Sequence, residues 1–220
     1  GAPYHKSQPN ASRRDAWPPE GGPQGSSLEM LRTQHLDQNG IGFGILNPLI
    51  AAQGVRNLAH SAALCRAVNY WQAEKWVAAE PRLRASIVVP YEDPEASAAE
   101  IRHWAGNRAF VQVLLLSRTG SLPGNQRYWP IYGAAAEAGL PVGVHAFGNS
   151  GLPVTSVGWP SFYMEEMVGH AGTSQSGLVS LVVEGVFERW PALKIVLVES
   201  GFTWAPSLLW RLDRDWKILK

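Results

Sequence analysis

The sequence is poor in cysteine, with only Cys65 in 220 residues. One thiol makes neither an internal disulfide nor a cysteine-based zinc site, which fits a reducing compartment, and the cytoplasm is the expected location. There is no surplus of charge: 19 Lys+Arg stand against 18 Asp+Glu, a formal +1. Following a phosphate backbone needs a basic excess, so nucleic acid is not an expected partner. Long apolar runs are missing as well. Stretches such as Val113-Leu114-Leu115-Leu116 are strand-sized and far too short for a bilayer, so no membrane partner is expected. The opening Gly1-Ala2-Pro3-Tyr4-His5-Lys6 lacks the basic and apolar regions of a signal peptide, and without an initiator Met it reads as starting partway through a longer chain. After the first strand-like run stands Leu46-Asn47-Pro48-Leu49, not Gly-x-Gly-x-x-Gly, and no Gly-Lys-Ser/Thr phosphate loop occurs. Nucleotide binding is thereby demoted.

What is present is apolar. Such residues make up 45% of the chain against 17% charged, enough for a sizeable core and against global disorder. The 10 Trp point to large aromatic packing units or an aromatic-lined pocket.

Residues 1–27, rich in Pro, Gly, Ser and charge, show no periodicity and read as an extended arm or loop. From Leu28 to residue 220, short apolar runs alternate with helical patterns. The runs are 42–46, 85–89, 110–116, 142–145 and 195–198, each nearly continuous in apolar residues, as parallel strands buried on both faces require. Helical spacing covers about 55–80, 94–107, 128–138, 177–190 and 207–216. Asp93-Pro94-Glu95 opens one of these helices, Gly139 closes another and Pro191 stops a third. Strand and helix in strict alternation predict right-handed crossovers and an α/β fold with a parallel sheet. With nucleotide loops absent, a (β/α)8 TIM-type barrel is preferred to an open doubly wound sheet. Five strands fall short of eight, so the barrel is expected to be incomplete.

In such a barrel the chemistry sits past the C-terminal strand ends. Those positions hold Asn47, then Pro90-Tyr91-Glu92, then Ser117-Arg118, then His145, then Glu199. His145 and Glu199 close successive strands and suit either part of a divalent metal site or a general base with its electrostatic partner. The plainer alternative is that His145 is a satisfied core histidine and Glu199 a carboxylate at a helix N-terminus. His5, His35, His60 and His103 read as surface or packing residues. His170, in a segment inserted between the fourth and fifth strands, is either a packing residue or one that faces the mouth. The run Trp159-Pro160-Ser161-Phe162-Tyr163 either lines a pocket or packs.

Two stretches carry a family likeness. Tyr128 to Glu137 followed by Leu140-Pro141-Val142-Gly143-Val144-His145, and Ser180 through Trp204, resemble amidohydrolase-related TIM-barrel proteins, the group that includes aminocarboxymuconate semialdehyde decarboxylase and related decarboxylases and hydrolases. The likeness runs from about Leu28 to the end. It implies one divalent ion, expected to be zinc. Its ligands in the family are His-x-His or Glu-x-His after the first strand, His after the fifth and Asp after the eighth, with an assisting His after the sixth. By that resemblance His145 is the fifth-strand ligand, while Glu199 stands where the sixth-strand His would be. No His-x-His occurs in the chain, so the five runs are numbered two to six and the remaining ligands have no counterpart. The expected function is that of a metal-dependent hydrolase or non-oxidative decarboxylase acting on a small carboxylated or cyclic substrate. Glu199 is the expected catalytic residue. Asn47, Arg118 and Trp204 shape the pocket, His170 faces it, and Arg118 is the cation for a substrate carboxylate. The alternative is a non-catalytic barrel segment or pseudoenzyme used for assembly or binding. A homo-oligomer, or pairing with the absent barrel segments, is the expected assembly.

Overall fold

The computed structural model describes residues 14–49, 52–146, 152–154 and 158–219; His5 and the first part of the 1–27 arm lie outside them. The rest of the arm holds one 3-10 turn, Arg14–Ala16, before Ser27 caps the first helix by accepting from the Met30 N–H. In chain order the elements are α1 (Leu28–Leu31), β1 (Gly44–Leu46), α2 (Leu58–Trp71), β2 (Leu83–Val88), α3 (Pro94–Trp104), β3 (Phe110–Leu116), α4 (Trp129–Glu137), β4 (Val142–His145), α5 (Tyr163–Val183), α6 (Val186–Arg189), β5 (Ile195–Val198) and α7 (Ala205–Leu219).

Local chemistry sets most of the boundaries. The Asn57 side chain accepts from the His60 N–H, so α2 begins at Leu58. The Asp93 side chain accepts from the Ala96 N–H while Pro94 occupies the first turn of α3, where its missing donor costs nothing. The long helix expected over 55–80 passes into a π-helical stretch, Gln72–Val77. The helix expected over 177–190 differs more. It begins at Tyr163, so the supposed insertion is helical, and it is broken before α6 by Gly185 at φ +78°. Gly169, Gly172 and Gly177 depress the local helical propensity there. Packing of the helix over the sheet overrides it, and Glu165 reinforces the start by accepting from the Ser161 and Phe162 N–H groups.

All five strands are parallel and lie in the order β1-β2-β3-β4-β5. Each right-handed crossover therefore advances in the same direction, which puts the helices on one face and curls the sheet toward a barrel; a doubly wound sheet would reverse its order. The outward face carries the main core. Ala85, Ile87, Val113, Leu115, Val142 and Val144 pack there against Ala98, Ile101 and Trp104 of α3 and Ile131, Tyr132 and Ala135 of α4. Burying these side chains is worth roughly 1.5–3 kcal/mol for each large one. By the two-residue alternation of strands, Ser86, Gln112, Gly143 and His145 face the concave side.

One irregularity interrupts the ladder. Ala85 pairs with Phe110 but Ser86 pairs with Gln112, so Val111 is an extra residue in β3 and forms a bulge. The two outer strands and the last helix remain open. Phe43 just before β1, Ile45 on β1, Val196 on β5 and Trp210, Trp216 and Ile218 on α7 are exposed, and α7 buries no residue.

Candidate active site

β4 and β5 pair with His145 opposite Val198, which sets His145 at the end of β4 directly across from the start of the β5 turn. Glu199 follows Val198, and its carboxylate Oε1 lies 3.7 Å from His145 Nε2. The imidazole is buried at 3% exposure, whereas the Glu199 side chain is 55% exposed. The backbone of Glu199 is unusual: among the described residues it alone, glycines aside, has a positive φ, at 59°. The left-handed region costs a β-carbon-bearing residue about 1–2 kcal/mol, and strain of this kind concentrates at functional sites. The turn that enforces it is held from below. The Ser200 hydroxyl donates to the Val198 carbonyl, Trp204 Nε1 donates to the Ser200 carbonyl at 2.8 Å, and Gly201 takes φ +69°.

The other expected pocket residues are distributed unevenly. Asn47 lies on the concave side one layer below His145, where its Oδ1 accepts from Ser86 Oγ at 2.7 Å and Gln112 Nε2 at 2.9 Å. Arg118 is 7% exposed and donates through Nη1 to the Leu152 carbonyl at 3.0 Å. It lines a cleft of about 330 Å³ between the loop after β3, residues Leu152–Val154, and Gly172, Thr173 and Ser176 of α5. His170 is buried on α5, on a polar stripe with Glu166 and Ser174 at helical spacing. Trp204 turns its indole N–H back onto its own turn. The structure brings His145 together with Glu199 and Asn47 together with the strand floor.

Three groups carry roles that the sequence did not assign, although Glu92 was among its strand-end positions. Gln112 and Ser86 form the floor with Asn47, and the signal was a lone Gln in the apolar run Phe110 to Leu116. Glu92 fastens the loop that carries Arg118. It accepts from the Gly120 N–H at 2.6 Å and from the Tyr128 hydroxyl at 3.2 Å, with Arg127 Nη2 at 3.4 Å. Asn69 closes the side of β2 that β1 is too short to cover, donating to the Val88 carbonyl and accepting from the Val88 N–H, while Gln72 donates to the Ser86 carbonyl. Burial pushes the Tyr91 and Tyr132 phenols well above the usual range, and burial pushes the Cys65 thiol up to about 12.

His145 and Glu199 supply a nitrogen and an oxygen donor of the right chemistry for a divalent ion, but among the described residues no group of three or more His, Cys, Asp or Glu side chains could hold a metal. Two donors do not retain an ion, so these residues do not by themselves complete a metal centre.

A parallel sheet in sequential order with a polar pair at adjacent strand ends defines a TIM-barrel enzyme-like architecture. A model of the amidohydrolase family matches residues 4–218, and the chain belongs to that family. It is similar to gamma-resorcylate decarboxylase of Polaromonas sp. strain JS666, 25% identical over 203 residues covering 84% of this chain and 59% of that protein. It is also similar to gamma-resorcylate decarboxylase of Rhodococcus jostii strain RHA1, 23% identical over 84% of this chain and 60% of that protein. The chain thus spans about three fifths of the length of these relatives. Among solved structures, an amidohydrolase from Mycobacterium avium subsp. paratuberculosis K-10 superposes with TM-score 0.71 at 24% identity, covering 86% of this chain and 53% of the other. A 2,6-dihydroxybenzoate decarboxylase from Rhizobium gives TM-score 0.69 at 24% identity over 86% and 61%. A dihydroxybenzoic acid decarboxylase from Polaromonas sp. JS666, solved with bound manganese, gives 0.64 at 24% identity over 86% and 59%. These likenesses establish the fold, a part of the family's (β/α)8 barrel. No helix among the described residues is long and apolar enough to cross a membrane.

Proposed function

We propose that the protein is a metal-dependent non-oxidative decarboxylase of a small hydroxylated aromatic acid, with His145 as one metal ligand and Glu199 as the acid–base residue. The observation that carries this is the His145–Glu199 pair at adjacent strand ends, with Glu199 held in a strained left-handed conformation, in a chain whose curated relatives are decarboxylases. In such a reaction the bond between ring and carboxylate breaks, carbon dioxide leaves, and a proton is delivered to the ring carbon. Glu199 is proposed to pass that proton, a role its exposure and its approach to His145 support. Arg118 is proposed to hold a substrate carboxylate, and Asn47, His170 and Trp204 to shape the pocket and its entrance. The ion needs further donors beside His145. Manganese in a relative favours a divalent ion of that class at least as much as the zinc expected from the sequence.

The test is metal analysis and turnover of 2,6-dihydroxybenzoate by the full-length protein. Near-stoichiometric divalent metal is expected, lost in His145→Ala. In Glu199→Gln, kcat should fall about 10²- to 10⁴-fold with metal retained. No divalent ion above trace, together with turnover indifferent to chelator, would sink the proposal. The incomplete ligand set favours a second reading, a barrel segment kept for binding or assembly. Metal-free full-length protein that binds aromatic acids without turning them over would select it.

A further inference from the structure

The floor beneath His145 is polar where the interior of this barrel type is normally filled by branched apolar side chains. Ser86 and Gln112 are both buried there, and Asn47 lies against them. The bulge at Val111 creates this meeting. Without the extra residue Val111 would stand opposite Ser86; with it, Gln112 does, and its side chain turns inward. Room for the amide comes from Gly143, where a β-carbon would lie 3.1–3.2 Å from the Gln112 carboxamide atoms. Gly143 precedes His145 by two residues on the same face, so the amide layer is about 6.6 Å below the imidazole along the strand.

The hydrogen bonds in this layer run in one sense. Gln112 Nε2 donates to Asn47 Oδ1 and to Ser86 Oγ at 2.8 Å, and the Ser86 hydroxyl donates its one proton to Asn47 Oδ1. Both lone pairs of the Asn47 oxygen are thereby engaged, and its Nδ2 group makes no hydrogen bond with a described residue. The geometry points to Ser86 and Gln112 as positioning residues that fix the polarity of Asn47, so that its N–H donors face the lumen and recognise a hydrogen-bond-accepting oxygen of the substrate. This rests on the active-site reading above and deepens it. The substrate carries an acceptor oxygen, of carboxylate, carbonyl or phenolate type, on the part that reaches one layer down from His145. A site whose donor is left unpaired discriminates strongly against analogues lacking that oxygen.

The experiment has two arms on the full-length protein. In the first, side-chain amides are labelled with ¹⁵N and exchange with water is followed without ligand. The Asn47 NH2 protons are expected to exchange faster than those of Gln112; protected Asn47 protons with exchanging Gln112 protons overturn the assignment. In the second, binding and turnover of 2,6-dihydroxybenzoate are measured for Asn47→Ala, Gln112→Met and the double variant. The Kd and KM are expected to rise about tenfold in each single variant, with kcat changed far less, and the double variant to be no worse than Asn47→Ala. Additive losses, or a fall in Tm with unchanged Kd, overturn the positioning role. A wild-type protein that binds no aromatic acid counts against the proposed function, while the exchange arm still decides the orientation of Asn47.

Discussion

At the scale of single residues, Glu199 shows a cost accepted in the fold. A glutamate at φ 59° is strained, and a glycine there would not be. Glu199→Gly is therefore expected to raise stability by about 1 kcal/mol in chemical denaturation while abolishing turnover; a destabilised variant would show that the conformation carries no strain. That strain was invisible in the sequence, where Glu199 was legible as a polar residue ending an apolar run and as the residue standing where the family has its sixth-strand His. His145 was legible in the same two ways. Cys65 gives a pH prediction. Burial raises its native pKa to about 12 from the ordinary value of 9.0. The unfolded thiol ionises first as pH rises, so the neutral thiol supports the fold fully below about pH 9 and this support is lost between pH 9 and 12. Tyr91 and Tyr132 act in the same direction. Urea midpoints should fall steadily over that range, and more shallowly in Cys65→Ala.

At the scale of elements, the loop after β3 depends on contacts from both sides. Glu92 ties it to the end of β2, and Ser180 of α5 ties it at Gly124, whose N–H donates to Ser180 Oγ at 3.0 Å. A β-carbon at Gly124 would overlap the Ser180 carbonyl oxygen, which belongs to helix backbone and cannot swing away. Gly124→Ala is expected to cost about 3 kcal/mol in equilibrium unfolding; a loss below 1 kcal/mol would mean that loop and helix part easily. Glu92→Gln keeps the size but weakens the acceptor for Gly120, Tyr128 and Arg127. If Arg118 holds the substrate carboxylate, this variant should raise KM several-fold with little change in Tm, read by kinetics alongside calorimetry. Most elements were legible from period and caps, because Asp93-Pro94 and Gly139 act over three or four residues. The exception was α5, whose first half is glycine-rich. Packing against the rest of the molecule, with Leu181 fully buried, holds the helix there.

At the scale of the whole molecule, the sheet is curled but open in these residues. Trp210 at 75% exposure leads an apolar face on α7, and Val196 leaves the last strand uncovered on its concave side. Apolar faces of this extent associate in water. Residues 1–220 in isolation are therefore expected to sediment as oligomers, and Trp210→Glu with Trp216→Glu to shift them toward monomer. A monodisperse monomer from the unaltered chain would contradict this. The sequence by itself determined the order of strands and helices, the sequential parallel sheet and the residues that end each strand, because these follow from apolar period, capping and right-handed crossovers. Only the tertiary structure decided that Glu199 approaches His145, that Arg118 sits in a cleft beside α5, and that a bulge turns Gln112 onto Asn47. Those depend on register and on contacts between residues from 26 to 65 positions apart along the chain, which no local pattern encodes.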